Sequence, residues 1–115
     1  MKLILAIIQP TKLHSVRDAL TAIGVERITV CDAQGYGRQK GQTATYRGVE
    51  YKVNMLRKVT VEIWVNDDFL EKTLDTLTKV ARTGSEGNIG DGKIFVMPTE
   101  QAISVADGTR GPGAV

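Results

Sequence analysis

The residues best placed for chemistry in this sequence are glycines set beside bases. Glycine occurs twelve times in 115 residues and gathers in three places. Residues 83–93 read Thr-Gly-Ser-Glu-Gly-Asn-Ile-Gly-Asp-Gly-Lys. Gly87, Gly92 and Lys93 have the Gly-x4-Gly-Lys spacing of a nucleotide-binding P-loop. Ile94 stands where that motif needs a magnesium-binding hydroxyl, and a strand rather than a helix should follow, so the motif fails as a P-loop. The physics survives without it. Glycines let backbone N–H groups converge on an anion, and Lys93 adds charge. The plain alternative is a helix-to-strand turn that needs positive φ. The second cluster, Gly35-Tyr-Gly-Arg-Gln-Lys-Gly41, offers the same choice between an anion site at a strand end and a solvated loop. The third, residues 107–115, reads as a mobile Gly/Pro tail.

Other chemistries are excluded by scarcity. The single cysteine, Cys31, allows no internal disulfide and no thiolate-rich zinc site. The single histidine, His14, removes histidine metal clusters and disfavours a catalytic triad. Fifteen basic against thirteen acidic residues give +2, too even for a chain that lives on nucleic-acid phosphates. The longest apolar run, residues 3–8, is too short to cross a bilayer or to serve as a secretory signal. The expectation is a soluble protein of the reducing cytoplasm, with no nucleic-acid partner and no membrane insertion.

Hydrophobic periodicity supplies the elements that would position the glycine clusters. Residues 2–9 form a strand, nearly all apolar, so both its faces should be covered. Thr11 can cap a helix with Leu13, Val16, Leu20 and Ile23 at helical spacing, stopped by Gly24. Residues 28–33 form a second strand. A polar stretch over residues 34–54 is long for a connection in so small a domain and is therefore a candidate for function. Residues 59–65 alternate as a third strand, with Val59, Val61, Ile63 and Val65 on one face. Asn66, Asp67 and Asp68 supply a cap and acidic first turn for a second helix, buried through Leu70, Leu74, Leu77 and Ala81. Arg82 and Gly84 suit its end. Residues 93–97 form the last strand, and residues 100–105 a short helix or strand. The order βαβ, loop, βαβ predicts an α+β, ferredoxin-like βαββαβ sandwich: an antiparallel sheet with two helices on one face and a long loop between strands 2 and 3. The other sheet face, which bears Thr60 and Trp64, would then be covered by a second subunit.

Four segments in register carry a family resemblance. Gly35-Tyr-Gly-Arg-Gln-Lys-Gly41, Tyr46-Arg-Gly-Val-Glu-Tyr51, Leu56-Arg-Lys58 and Gly90-Asp-Gly-Lys-Ile-Phe-Val96 strongly resemble the PII nitrogen-regulatory signalling family. The resemblance runs over residues 1–103, with 104–115 as the tail. It implies a binding protein, not an enzyme, and a homotrimer with nucleotide sites between subunits. Residues 37–55 would be a mobile loop that docks on a target enzyme or an ammonium-transporter-type membrane protein. It implies ATP or ADP as effector, with magnesium and 2-oxoglutarate as companions. Matched position by position, Thr29, Glu62 and Trp64 fall near the adenosine, and Gly35, Gly37 and Arg38 near ribose and phosphates. The 83–92 loop would hold phosphate through Gly90, Asp91, Gly92 and Lys93. Gln39 matches the residue at the magnesium and 2-oxoglutarate site, and Lys58 the partner of the oxoglutarate carboxylate. Arg47 matches the loop-tip arginine that docks on a transporter, and Tyr51 a uridylylated tyrosine, expected to be exposed.

Departures from the family pattern bear on the effector. Ser104 and Ala106 stand where relatives carry arginines that reach the terminal phosphates. Each lost charge-assisted contact costs about 1.5–3 kcal/mol, roughly tenfold or more in affinity. The 83–92 turn is three residues longer than usual. Asn88 replaces a common lysine, and Glu86 adds negative charge. Trp64 replaces a small apolar residue, Arg57 a proline and Gln9 a base. These changes predict a site weakened for ATP, with ADP or AMP favoured, and keep open a divergent regulator of a different transporter or carbon-uptake system. An acylphosphatase-type enzyme of the same fold class would need an arginine directly after strand 1, where this chain has Gln9-Pro-Thr-Lys12. An RNA-binding sheet would need more exposed aromatics than Trp64 and Phe95.

Overall fold

The computed structural model describes the backbone of residues 1–36, 43–46, 49–52 and 55–115, and the side chains of residues 1–34 and 57–115. The elements in order are β1 (Lys2–Ile8), α1 (Leu13–Ala22), β2 (Thr29–Tyr36), β3 (Thr43–Tyr46), β4 (Val49–Lys52), β5 (Met55–Val65), α2 (Asp67–Ala81) and β6 (Gly92–Pro98). Four strands make one antiparallel sheet in the order β2-β5-β1-β6, and β3 pairs with β4 in a separate ribbon. This is the ferredoxin-like arrangement expected from the βαββαβ order.

One sheet face and both helices enclose the core. Ile4, Ala6 and Ile8 of β1 alternate inward beside Val59, Val61, Ile63 and Val65 of β5. Val16 and Leu20 of α1 and Leu77 and Ala81 of α2 close over them. Leu77 is fully buried, so truncating it to alanine should cost about 2–5 kcal/mol. Thr73 is equally buried on α2, although the apolar stripe did not include it. Its hydroxyl donates to the Phe69 carbonyl at 2.7 Å, which satisfies the polar group within its own helix.

Several boundaries differ from the sequence reading. Pro10–Lys12 is a separate 3-10 turn, so α1 begins at Leu13 behind Lys12, and Thr11 does not cap it. The other end of α1 is as expected. Gly24 takes φ +90°; its N–H reaches the Thr21 carbonyl at 3.0 Å and the Val25 N–H the Leu20 carbonyl at 2.9 Å, a Schellman cap. Asn66 precedes α2 but makes no side-chain cap: its Nδ2 donates to the Pro112 carbonyl at 3.1 Å, and among the described residues its Oδ1 has no partner. The α2 helix ends at Ala81, and Arg82 is already extended. The β2 strand runs on to Tyr36, into the stretch read as loop, and β5 begins at Met55, directly after it and four residues before the expected start.

The C-terminal segment also differs. Residues 100–105 form neither helix nor named strand. An isolated bridge joins Ile103 to Arg110, and the Ser104 N–H donates to Thr109, the Gly108 N–H to Ser104 and the Gly111 N–H to Ala102. The stretch read as an open tail is therefore a hydrogen-bonded turn, ending in a 3-10 turn at Pro112–Ala114.

Among the described residues, none packs over the second sheet face as the helices do over the first. Leu3, Leu5 and Ile7 point to it and lie opposite Trp64, Glu62 and Thr60 on one side and Met97, Phe95 and Lys93 on the other. Trp64, Phe95 and Met97 are 41%, 47% and 39% exposed. Among the described residues, no helix is long and apolar enough to cross a membrane.

Candidate functional site

The 83–92 turn is built around one carboxylate. Asp91 accepts from the Thr83 N–H at 2.9 Å, from the Thr83 hydroxyl and from the Asn88 N–H at 2.9 Å. The hydroxyl of Thr83, then its N–H, hold the Asp91 carboxyl below the usual range. The Gly87 N–H donates to the Thr83 carbonyl at 3.0 Å and closes the turn from within. The Asp91 oxygens thus fasten the turn on which the resemblance places phosphate. Lys93 is exposed at the start of β6, opposite Ile7.

Gly92 and Gly90 both take a positive φ that strains any other residue, and Gly92 also has no room for a side chain. A β-carbon at Gly92 would stand 1.8 Å from the Ile7 carbonyl oxygen. Gly90 has φ +99°, and its carbonyl accepts from Gln9 Nε2 at 2.8 Å and from Lys58 Nζ. Lys58 is buried, and loss of solvation lowers its pKa, against a partial upward pull from Asp91. Gln9 went unassigned in sequence because its partner lies 81 residues away. Its place directly after a strand neighbouring β6 was the available signal.

Thr29, Glu62 and Trp64 come together elsewhere. Thr29 pairs directly with Glu62 across β2 and β5, and Trp64 follows on the same face. All three line a cleft of about 680 Å³ whose further wall includes Arg27, Gln101 and Ile103. Gly92 and Lys93 line a different cleft, of about 580 Å³, against Leu77 and Arg82. Trp64 and Gly92 lie opposite Leu3 and Ile8, five residues apart on β1, roughly 17 Å along the strand. One chain therefore does not bring the two groups into one site. Gly35 sits in β2 opposite Leu56, whereas Gly37, Arg38, Gln39 and Arg47 lie outside the described residues. Tyr51 is placed by its backbone in β4 opposite Ala44, and its side chain lies outside the described ones. Ser104 and Ala106 sit in the C-terminal turn, where the Asp107 carboxylate accepts from the Thr109 N–H at 3.0 Å.

These elements define an α+β protein of ferredoxin-like fold, with a hydrogen-bonded glycine turn before the last strand of its sheet. The family described as nitrogen regulatory protein P-II matches this chain over residues 1–109. The nitrogen regulatory protein P-II of Bradyrhizobium diazoefficiens is 48% identical over 115 residues, covering all of both chains. The nitrogen regulatory protein GlnK1 of Methanosarcina mazei is 44% identical, over all of this chain and 97% of its own. The nitrogen regulatory protein GlnK of Escherichia coli is 44% identical over the whole of both chains. The chain belongs to the P-II family of nitrogen regulatory proteins.

Proposed function

We propose that this chain is a signal transducer that binds an adenine nucleotide between subunits of a homotrimer and acts on its target through residues 37–55. The observation that carries this reading is the division of the matched residues. Thr29, Glu62 and Trp64 line one cleft, Gly92 and Lys93 line another, and the apolar sheet face is left uncovered among the described residues. A neighbouring subunit on that face would set one chain's glycine turn against the next chain's Thr29–Glu62 pair. The residue types suit a nucleotide. Trp64 offers a face to a base, Glu62 accepts from amino or hydroxyl groups, and Lys93 neutralises phosphate.

Magnesium and 2-oxoglutarate belong to the same reading. Gln39 would contribute to the metal together with nucleotide phosphates, and Lys58 would pair with a carboxylate. Among the described residues no group of three or more histidine, cysteine or acidic side chains could hold a metal, so the ion would depend on the nucleotide's oxygens. The target would be a nitrogen-metabolism enzyme or an ammonium transporter, with Arg47 docking and Tyr51 as a modification site. The second reading is a regulator of another transporter or of carbon uptake, with altered effector specificity. What favours it is the C-terminal turn, which presents Ser104, Ala106 and the Asp107 carboxylate where relatives supply cations.

Calorimetry with ATP, ADP and AMP, with and without magnesium and 2-oxoglutarate, tests both. Binding of ADP or AMP tighter than ATP supports the altered specificity. Tight ATP binding that strengthens 2-oxoglutarate binding refutes it and leaves the transducer reading in place. No binding of any nucleotide sinks the transducer reading.

A further inference from the structure

One carbonyl ties three neighbouring strands together. Gln9 follows β1, Lys58 lies in β5 and Gly90 precedes β6, and the sheet order places β1 between the other two. Gln9 Nε2 donates to the Gly90 carbonyl at 2.8 Å, and Lys58 Nζ donates to the same oxygen. Both donors lie against the peptide. A β-carbon at Gly90 would be 3.6 Å from Gln9 Nε2 and 3.8 Å from Lys58 Nζ. Gln9 is itself held, since Pro10 follows it and its carbonyl accepts from the Lys12 N–H at 3.0 Å.

We propose that Gln9 is a positioning residue, which shares the Gly90 carbonyl with Lys58 and keeps the 83–92 turn in place when the Lys58 ammonium turns to an anionic ligand. The ligand half of this statement rests on the reading above; the holding role does not. A carbonyl oxygen has two lone pairs and here receives two donors, so either donor can leave without stranding it. The two donors differ in what draws them away. An ammonium is pulled towards a carboxylate or phosphate, whereas a neutral carboxamide is not. The charge can therefore move while the amide stays. With an apolar side chain at position 9, the departure of Lys58 would leave a half-buried carbonyl without a donor. Anion binding would then work against the turn that has to stay formed.

The holding role is tested by amide hydrogen exchange, read by mass spectrometry on peptides covering residues 83–92, in full-length protein without ligand. The proteins are wild type, Gln9→Met, Lys58→Met, the double variant, and Gln9→Lys combined with Lys58→Met. Each single change should speed exchange less than about threefold, and the double change tenfold or more, because only the double leaves the carbonyl bare. Lysine at position 9 is a donor and should restore the slow rate to the Lys58→Met protein. Equal speeding in Lys58→Met and the double variant, or failure of that rescue, overturns the proposal. The second arm titrates 2-oxoglutarate into ATP–magnesium-loaded protein. Gln9→Met should weaken its binding about tenfold. Equal binding to wild type and Gln9→Met refutes the link to Lys58. If wild type binds none, the effector reading fails while the exchange experiment still decides the role of Gln9.

Discussion

The α-carbon of Gly92 lies so close to Ile7 that a β-carbon there would stand 1.8 Å from the Ile7 carbonyl oxygen. That contact sits where β6 leaves the glycine turn and joins β1, with Gly92 opposite Ile8. It sets the distance between the turn and the sheet.

Gly92→Ala should therefore cost about 3 kcal/mol or more, adding backbone displacement to the strain of its φ of +122°. The variant's urea midpoint checks this at once. A loss under about 1 kcal/mol would mean that the two strands part cheaply.

Asp91 makes part of the stability depend on acid pH. Its folded pKa lies below the ordinary value of 3.8, chiefly through the Thr83 hydroxyl. A carboxylate with a depressed folded pKa stabilises the fold above its unfolded pKa, and the effect is lost as pH falls through the folded value. Wild type should thus lose stability relative to Asp91→Asn from about pH 4 downwards, read from denaturation midpoints across that range. Parallel curves for the two proteins would remove Asp91 from the account.

Lys58 acts in the same direction at the alkaline end, although there the charged form is the one that the fold disfavours. Burial sets its folded pKa below the usual 10.5, so between those values the unfolded chain holds more protons. Stability contributed by this group rises with pH across that window. Lys58→Met should lack the rise, and Gln9 should keep the variant's overall loss small, within about 1 kcal/mol at neutral pH. Denaturation midpoints of both proteins between about pH 8 and 11 give the comparison, and a constant difference would count against it.

The uncovered sheet face predicts assembly. Phe95 is 47% exposed beside Leu5. Phe95→Asp leaves the core untouched but places a charge where a neighbouring subunit would lie, which desolvation makes costly. Light scattering should find oligomers for wild type and monomers for the variant. A monomeric wild type would refute the shared nucleotide site.

Restoring two bases should restore affinity for terminal phosphates. Ser104→Arg with Ala106→Arg keeps the backbone bonds of the turn, since these use only main-chain groups. ATP binding should strengthen about tenfold for each contact made, and AMP binding should change little. Equal effects on ATP and AMP in calorimetry would show that the new arginines do not reach the distal phosphates.

Periodicity made the core legible. Val59, Val61, Ile63 and Val65 alternate, and Val16, Leu20, Leu77 and Ala81 repeat at helical spacing, so hydrophobic pattern alone places them inside. What stayed hidden was long-range polar pairing. Asn66 looks like a cap and instead reaches Pro112, 46 residues on. Gln9 looks like a strand end and instead reaches Gly90. The glycine turn could be seen as a turn, but not that Asp91 would fasten it to Thr83. The C-terminal turn resembles a tail in sequence because most of its order comes from main-chain hydrogen bonds; the Asp107 carboxylate, which accepts from the Thr109 N–H, is the side-chain signal for it. Thr29, Glu62, Trp64, Gly92 and Lys93 form a set only through resemblance, and their separation into two clefts needs the register of β1.

The sheet order also bears on how the chain is made. β1 precedes every other strand in sequence, yet it lies between β5 and β6, which follow it by about fifty and ninety residues. Leu3, Ile4, Leu5, Ile7 and Ile8 must wait for Met55–Val65 and Gly92–Pro98 before either edge of their strand is paired. Pairings of such long sequence separation close slowly, and an unpaired apolar strand is prone to misassociation meanwhile. During synthesis the sheet cannot close until Gly92–Pro98 has emerged, so one apolar edge of β1 is exposed until then.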